Sequence, residues 1–226
     1  MDVRDYCFVV GREKRSIEDH FTPHDTYLKE LKEEYKTLIS KFYQRLQNSH
    51  LVWINQNKPE GFGHAVKLTE RYIGRDDFVV HAGDVAIISK IKHPMMRLID
   101  IAKREPDIGA VLLCKKVHDV KRYGVPTLSK SFESYWTVKE VEEKPLRPKS
   151  NFGILPLYYF KSDIFDCLKK IKRGRGNEYQ LTDAIQKLIE DGKKVVAIPV
   201  TNNEIEIDVG TVESYRYAQE VSYKKA

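Results

Sequence analysis

The stretch Phe78-Val79-Val80-His81-Ala82-Gly83-Asp84 sets an apolar run of strand type directly against a Gly-Asp turn. Read as a strand with a carboxylate at its end, it organises the rest of the chain. Runs of the same kind recur at Tyr6 to Val10, Leu51 to Ile54, Ala110 to Leu113, Leu157 to Phe160, Val195 to Ile198 and Ile205 to Ile207. Between most of them the apolar spacing becomes helical. Leu28, Leu31, Tyr35, Leu38, Ile39, Phe42 and Leu46 share one face, and further helical patterns follow Arg15, His64, Pro94, Ser162, Leu181 and Thr211. Asp191-Gly192 stops a helix ahead of the strand at Val195. Strands alternating with helices predict an α/β fold with a mostly parallel sheet. No linker divides the sequence, so residues 1–226 read as one domain, with a small β-rich flap over about 123–148, where the pattern alternates and turn residues replace a helix.

A chain of 226 residues with 41% hydrophobic and 32% charged residues can close its own core. Its three cysteines, Cys7, Cys114 and Cys167, are odd in number and lack C-x-x-C spacing, which argues against a zinc site or a disulfide framework and suits a reducing, cytoplasmic setting. No apolar run approaches the roughly 18 residues of a membrane helix. Lys and Arg number 39 against 33 Asp and Glu, a formal +6 that permits an anionic partner. The basic residues are scattered, and their densest cluster, Lys169-Lys170-Ile171-Lys172-Arg173, reads as a solvated helix end. Neither nucleic acid nor a membrane is the expected partner.

In an open α/β sheet, ligands bind beyond the carboxyl ends of the strands. Two carboxylates stand there: Asp84, and Asp208 in Glu204-Ile205-Glu206-Ile207-Asp208-Val209-Gly210. Brought together they could hold Mg²⁺, which takes one or two carboxylates plus phosphate and water. Otherwise each merely caps the turn that follows it. Gln56-Asn57-Lys58-Pro59-Glu60-Gly61-Phe62-Gly63-His64-Ala65 joins a strand to a helix, with two glycines that would let backbone N–H groups approach a ligand. The Gln56 amide, offering donor and acceptor, could meet the edge of a pyrimidine. An ordinary polar loop is the alternative, and His64 at a helix start reads as a structural hydrogen-bonding residue. Glu142-Glu143-Lys144-Pro145 sets a carboxylate beside an ammonium, a pair that suits sugar hydroxyls and a phosphate, or simply a charged surface.

Taken in order, residues 11–21 (Gly-Arg-Glu-Lys-Arg-Ser-Ile-Glu-Asp-His-Phe), Gln56 through Ala65, Gly83-Asp84, Tyr123-Gly124-Val125, Val141 through Pro145, Ser150-Asn151, Glu178-Tyr179-Gln180-Leu181-Thr182-Asp183-Ala184-Ile185 and Asp208-Val209-Gly210 resemble the bacterial and archaeal UTP–glucose-1-phosphate uridylyltransferase family over nearly the whole chain. The resemblance implies a Rossmann-like nucleotidyltransferase fold with a mostly parallel mixed sheet and helices on both faces. It implies an enzyme that joins UTP and glucose 1-phosphate into UDP-glucose and pyrophosphate with Mg²⁺. Carried onto matching positions, Gln56 and Gly61 would read uracil, and Asp84 with Asp208 would hold the metal. Gly124 and Glu143 would meet glucose hydroxyls, Lys144 would hold the sugar phosphate and act in catalysis, and Asn151 and Glu178 lie in matching segments. A homo-oligomer, or association with a complete homologue, is the expected assembly.

One departure from the family is large. Its members open with a strand, a glycine-rich G-x-G-T-R loop and a Pro-Lys segment, whereas this sequence opens almost at the Tyr6 strand. One lost preorganised contact to the transition state costs about 3–4 kcal/mol. The isolated chain is therefore expected to turn over poorly. With the family's first strand missing, three outcomes are expected: the strands at Tyr6 and Phe78 pair directly, another chain fills the slot, or the sequence lacks its natural N-terminus. Two alternative functions stay open: a non-catalytic nucleotide-sugar binding or regulatory subunit, and a thymidylyltransferase using dTTP, since uracil and thymine share a pairing edge.

Overall fold

The computed structural model describes residues 3–132 and 134–224. At its centre β5 (Ile108–Lys116) shows why the sheet is covered on both faces. Its residues Ala110, Leu112 and Cys114 point to one side and Val111 and Leu113 to the other, and all five are fully buried. On the first side the cover comes from α7 (Asp163–Lys170) and α8 (Leu181–Glu190), through Ile164, Phe165, Leu168, Ala184, Ile185 and Leu188. On the second it comes from α6 (Pro94–Arg104), through Leu98, Ile99, Ile101 and Ala102. The result is a mixed sheet flanked by helices.

Six strands run in the order β3 (Phe78–His81), β8 (Phe152–Phe160), β5, β9 (Lys194–Pro199), β7 (Trp136–Glu143), β6 (Gly124–Ser131). The sheet is mixed, as expected, with four of its six strands in one direction. Strands β3, β5, β9 and β6 share a direction, yet among these neighbours only β5 and β9 pair in parallel. The reason is that β8 and β7 run against the others and are inserted between them, so most ladders are antiparallel. The β-rich stretch after Tyr123 is the β6–β7 hairpin, and Trp136 and Thr137 join it to Ala197 and Val196 of β9. It extends the sheet at its β9 edge.

Two further pairs stand outside this sheet. β4 (Val85–Ser89) and β10 (Glu204–Asp208) form an antiparallel arm in which Val85 faces Asp208. The arm is pinned to α6 by Arg97, which donates from Nη2 to both oxygens of the buried Glu204 at 2.7 and 2.8 Å. β1 (Asp5–Val10) and β2 (His50–Asn55) pair in parallel. They are linked by α1 (Arg15–His20), α2 (Asp25–Glu30) and α3 (Glu33–Gln47). The single helical face read from Leu28 to Leu46 is thus divided, because Lys32 is extended (φ −64°, ψ 148°). This lobe has a small aromatic centre of its own: Phe8 stacks on Trp53 at 4.4 Å and meets Phe21 at 4.9 Å, and Phe42 lies 5.9 Å from Phe21.

Direct pairing of β1 with β3, one of the three expected outcomes, does not occur among the described residues. β1 leans instead on α4 (Phe62–Leu68), and β3 takes its partner from β8.

Candidate functional site

The loop from Gln56 to Gly61 leaves β2 and enters α4. Its glycines serve packing against another segment. A side chain on Gly61 (φ +110°) would meet Glu178 Cβ and Tyr179 O at 2.8 Å, and one on Gly63 would meet Tyr179 O at 2.7 Å. Backbone bonds lock the approach: Gly63 N–H donates to Tyr179 O and Tyr179 N–H to Glu60 O, both at 2.8 Å. The Gly63 N–H is therefore already used within the chain. Gln56 differs from expectation. Its Nε2 donates to Gly61 O (3.3 Å) and lies 3.1 Å from His64 Nδ1, so the amide offers the site its oxygen and not both functions.

A second group forms where β6 and β7 meet α8. Gly124 pairs with Glu143 across the hairpin, and Thr182 Oγ1 donates to Glu143 Oε2 at 2.7 Å. A Cβ on Gly124 would stand 2.8 Å from Thr182 Oγ1 and 3.3 Å from Glu143 Oε2, so only glycine leaves this corner open. Lys144 Nζ lies 3.5 Å from Glu143 Oε1. Lys144 has φ +45°, a left-handed conformation costly for a side-chain-bearing residue, and it is held there by its N–H to Tyr123 O (2.9 Å) and by Arg175 donating to its carbonyl. Burial, then the Glu143 charge, pushes the Asp183 carboxyl above the usual carboxylate range.

The third group is the carboxylate pair. Asp84 follows β3 and opens β4, while Asp208 ends β10. Val209 N–H donates to Asp84 O at 2.9 Å, and Gly210 N–H to Asp208 Oδ1 at 2.6 Å. A Cβ on Gly210 would lie 3.0 Å from Asp208 Oδ1 and 3.8 Å from Asp84 Oδ2, so both exposed carboxylates border the space that this glycine leaves free. Two hard oxygen donors open to solvent fit a small divalent cation that keeps several waters. No cluster of three or more metal-ligating side chains occurs among the described residues. Nearby, burial holds the His81 imidazole below its ordinary range, against an opposing backbone hydrogen bond with Ala82; the His93 charge lowers it further and the Asp84 charge raises it.

The structure thus joins Gln56 with Gly61, Gly124 with Glu143 and Lys144, and Asp84 with Asp208. Glu178 backs Gly61 and accepts from Gln180 Nε2 at 3.2 Å. Asn151 is exposed ahead of β8 beside Ser150, whose Oγ donates to Pro126 O at 2.6 Å. In the sequence Thr182 stands only within the Glu178 to Ile185 segment of the resemblance, and Arg173 only within the basic cluster at 169–173, so neither carries a local signal of its own. Surface clefts of about 460 and 390 Å³ open beside His64 and beside Arg173, and neither is lined by Asp84, Asp208 or Glu143.

With this geometry described, comparison with known proteins is specific. The nucleotidyl transferase profile matches residues 25–224. The UTP–glucose-1-phosphate uridylyltransferase YngB of Bacillus subtilis (strain 168) is 34% identical over 191 residues, 82% of this chain and 63% of that protein. A second UTP–glucose-1-phosphate uridylyltransferase of the same strain is 35% identical over 195 residues, 83% of this chain and 65% of that protein. The chain therefore spans a little under two thirds of the length of these relatives. Among solved structures, an apo UDP-glucose pyrophosphorylase superimposes with a TM-score of 0.87 at 26% identity, covering 98% of this chain and 82% of that one. A UDP-glucose pyrophosphorylase complexed with UDP-glucose gives 0.85 at 27%, covering 99% and 82%. Matched over most of its length by that profile and by relatives above 30% identity, the chain belongs to the nucleotidyl transferase family.

Proposed function

We propose that the protein acts in uridylyl transfer, joining UTP and glucose 1-phosphate into UDP-glucose with release of pyrophosphate. The observation that carries this reading is the convergence of Asp84 and Asp208 on the space beside Gly210. The names of the relatives favour uridylyl transfer over thymidylyl transfer or a purely binding role.

Each residue then has a physical task. Gln56, beside Gly61, meets the base through its amide oxygen. Glu143 accepts from sugar hydroxyls, with one oxygen steadied by Thr182 and Gly124 keeping the corner open. Lys144 sets a positive charge against the sugar phosphate. That phosphate is already an anionic nucleophile, so no general base is required. Its oxygen bonds to the α-phosphorus of UTP as the bond to the departing pyrophosphate breaks, and most of the acceleration comes from positioning and charge neutralisation. Asp84 and Asp208 would hold Mg²⁺, whose chemistry there is to offset charge on phosphate oxygens.

The test combines calorimetry of UDP-glucose with Mg²⁺ and pyrophosphate release from UTP plus glucose 1-phosphate. We expect UDP-glucose to bind, and Asp84→Asn and Asp208→Asn each to weaken Mg²⁺-dependent binding or turnover by about tenfold or more. A chain that neither binds UDP-glucose nor releases pyrophosphate overturns the proposal, as do variants indistinguishable from the parent.

A further inference from the structure

The polarity of the Gln56 side chain is fixed by its neighbours. Gln56 N–H continues the β1–β2 ladder to Val10 O at 2.7 Å, and its side chain turns toward the start of α4. The Gly61 carbonyl, 3.3 Å away, can only accept, so the NH₂ end of the amide must face it, since the inverted amide would set oxygen against oxygen. The same Nε2 lies 3.1 Å from His64 Nδ1. Both amide hydrogens are thus taken, and Nδ1 must be the unprotonated ring nitrogen.

The imidazole proton then sits on Nε2, which faces Glu60 Oε2 at 3.6 Å. That placement agrees with the charge beyond it. Glu60 is paired through its other oxygen with Arg173 Nη2. Arg173 is itself held by Nη1 donating to Asn177 O (2.8 Å) and by lying 4.9 Å over the Tyr179 ring. His64 and Glu60 side chains are mostly buried, 20% and 29% exposed. The ring therefore has a fixed donor end and a fixed acceptor end.

We infer that His64 is a specificity-determining positioning residue: by occupying the Gln56 amide hydrogens together with Gly61 O, it leaves Oε1 as the only group Gln56 presents, an acceptor that selects a base with a ring N–H donor. Uracil carries that donor at N3, whereas cytosine N3 is an acceptor and would confront Oε1. The inference rests on reading Gln56 as the base-contacting residue. Nothing in it depends on the carboxylate pair or on turnover.

The experiment is calorimetric titration of the full chain with UTP and with CTP at fixed Mg²⁺, for the parent, His64→Leu and His64→Asn. Asn keeps an acceptor, Oδ1, near the place of Nδ1, while Leu keeps only bulk. The parent should bind UTP about tenfold or more tighter than CTP. His64→Leu should bring the ratio of the two affinities toward unity, with UTP weakened and CTP not, and His64→Asn should restore most of it. A purely structural role for His64 would weaken both nucleotides alike and leave the ratio intact, and that result overturns the inference alone. A parent with no preference for UTP overturns it together with the assignment of Gln56 to the base. Should His64→Leu fail to fold by circular dichroism, Glu60→Met, which frees the ring to turn, is expected to lower the same ratio by a smaller factor; an unchanged ratio there counts against the inference in the same way.

Discussion

Strands β1 and β5 are comparably apolar in sequence, Asp-Tyr-Cys-Phe-Val-Val against Ile-Gly-Ala-Val-Leu-Leu-Cys, yet they end in different environments. Every residue from Ile108 to Cys114 is buried, whereas in β1 only Val10 is. β5 has strands on both edges and helices on both faces. β1 has β2 on one edge, and the helices α1 and α3 in its lobe contain no buried residue. Apolar composition permits burial, but the number of covered faces decides how much follows, and stabilisation scales with the area removed from water.

The contrast can be broken by paired truncations. Leu112→Ala in the sheet centre should cost about 2–5 kcal/mol, the range for deleting a fully buried leucine side chain. Leu38→Ala, at a position 65% exposed in α3, should stay within about 0.5 kcal/mol. Urea titrations of both variants check this, and equal losses would show that the lobe is as well covered as the sheet. Native-state hydrogen exchange sharpens the same comparison. The amides of β5 and β9 should open only with global unfolding, and those of β1 and β2 at free energies lower by ~2 kcal/mol or more. Matching protection in the two regions would remove the distinction.

The smallest expected effect concerns a charge that the well-covered region holds poorly. Asp183, at the start of α8, is raised by burial and then by Glu143. A carboxyl whose folded-state pKa lies above its unfolded value takes up protons on folding. Its stabilising contribution is therefore largest when it is protonated, and stability falls as pH rises from the ordinary Asp range through the raised value. Asp183→Asn should then stabilise the protein at neutral pH by something on the order of 0.5 kcal/mol, allowing for solvent screening of a half-buried group. The gain should disappear below the ordinary Asp range. Thermal melts at the two pH values test it, and a gain independent of pH would assign the effect to packing.

Much of the fold was legible because its signals are local. Seven strand runs and most helices follow from apolar periodicity, and Asp191-Gly192 ends α8 with Gly192 at φ +82°. β4 carries no comparable local signal, since Val85 to Ser89 follows the Gly-Asp turn at once and its partner β10 lies more than a hundred residues away. The carboxylates Asp84 and Asp208 stood out at the ends of apolar runs. Thr182 and Arg173 did not, because their meaning comes from Glu143, 39 residues away, and from Glu60, 113 residues away.

The sequence by itself determined the alternation of strand and helix, the residues able to fill a core, and the chemical types available at the strand ends. Tertiary structure alone decided that the sheet pairs are mainly antiparallel, that the two glycines of the 56–65 loop serve close packing, and that Gln56 keeps only its acceptor. The physical reason is range. Periodicity is set by neighbours three or four residues apart, whereas pairing direction, close approach and the saturation of a hydrogen-bonding group depend on atoms that only folding brings within about 3 Å.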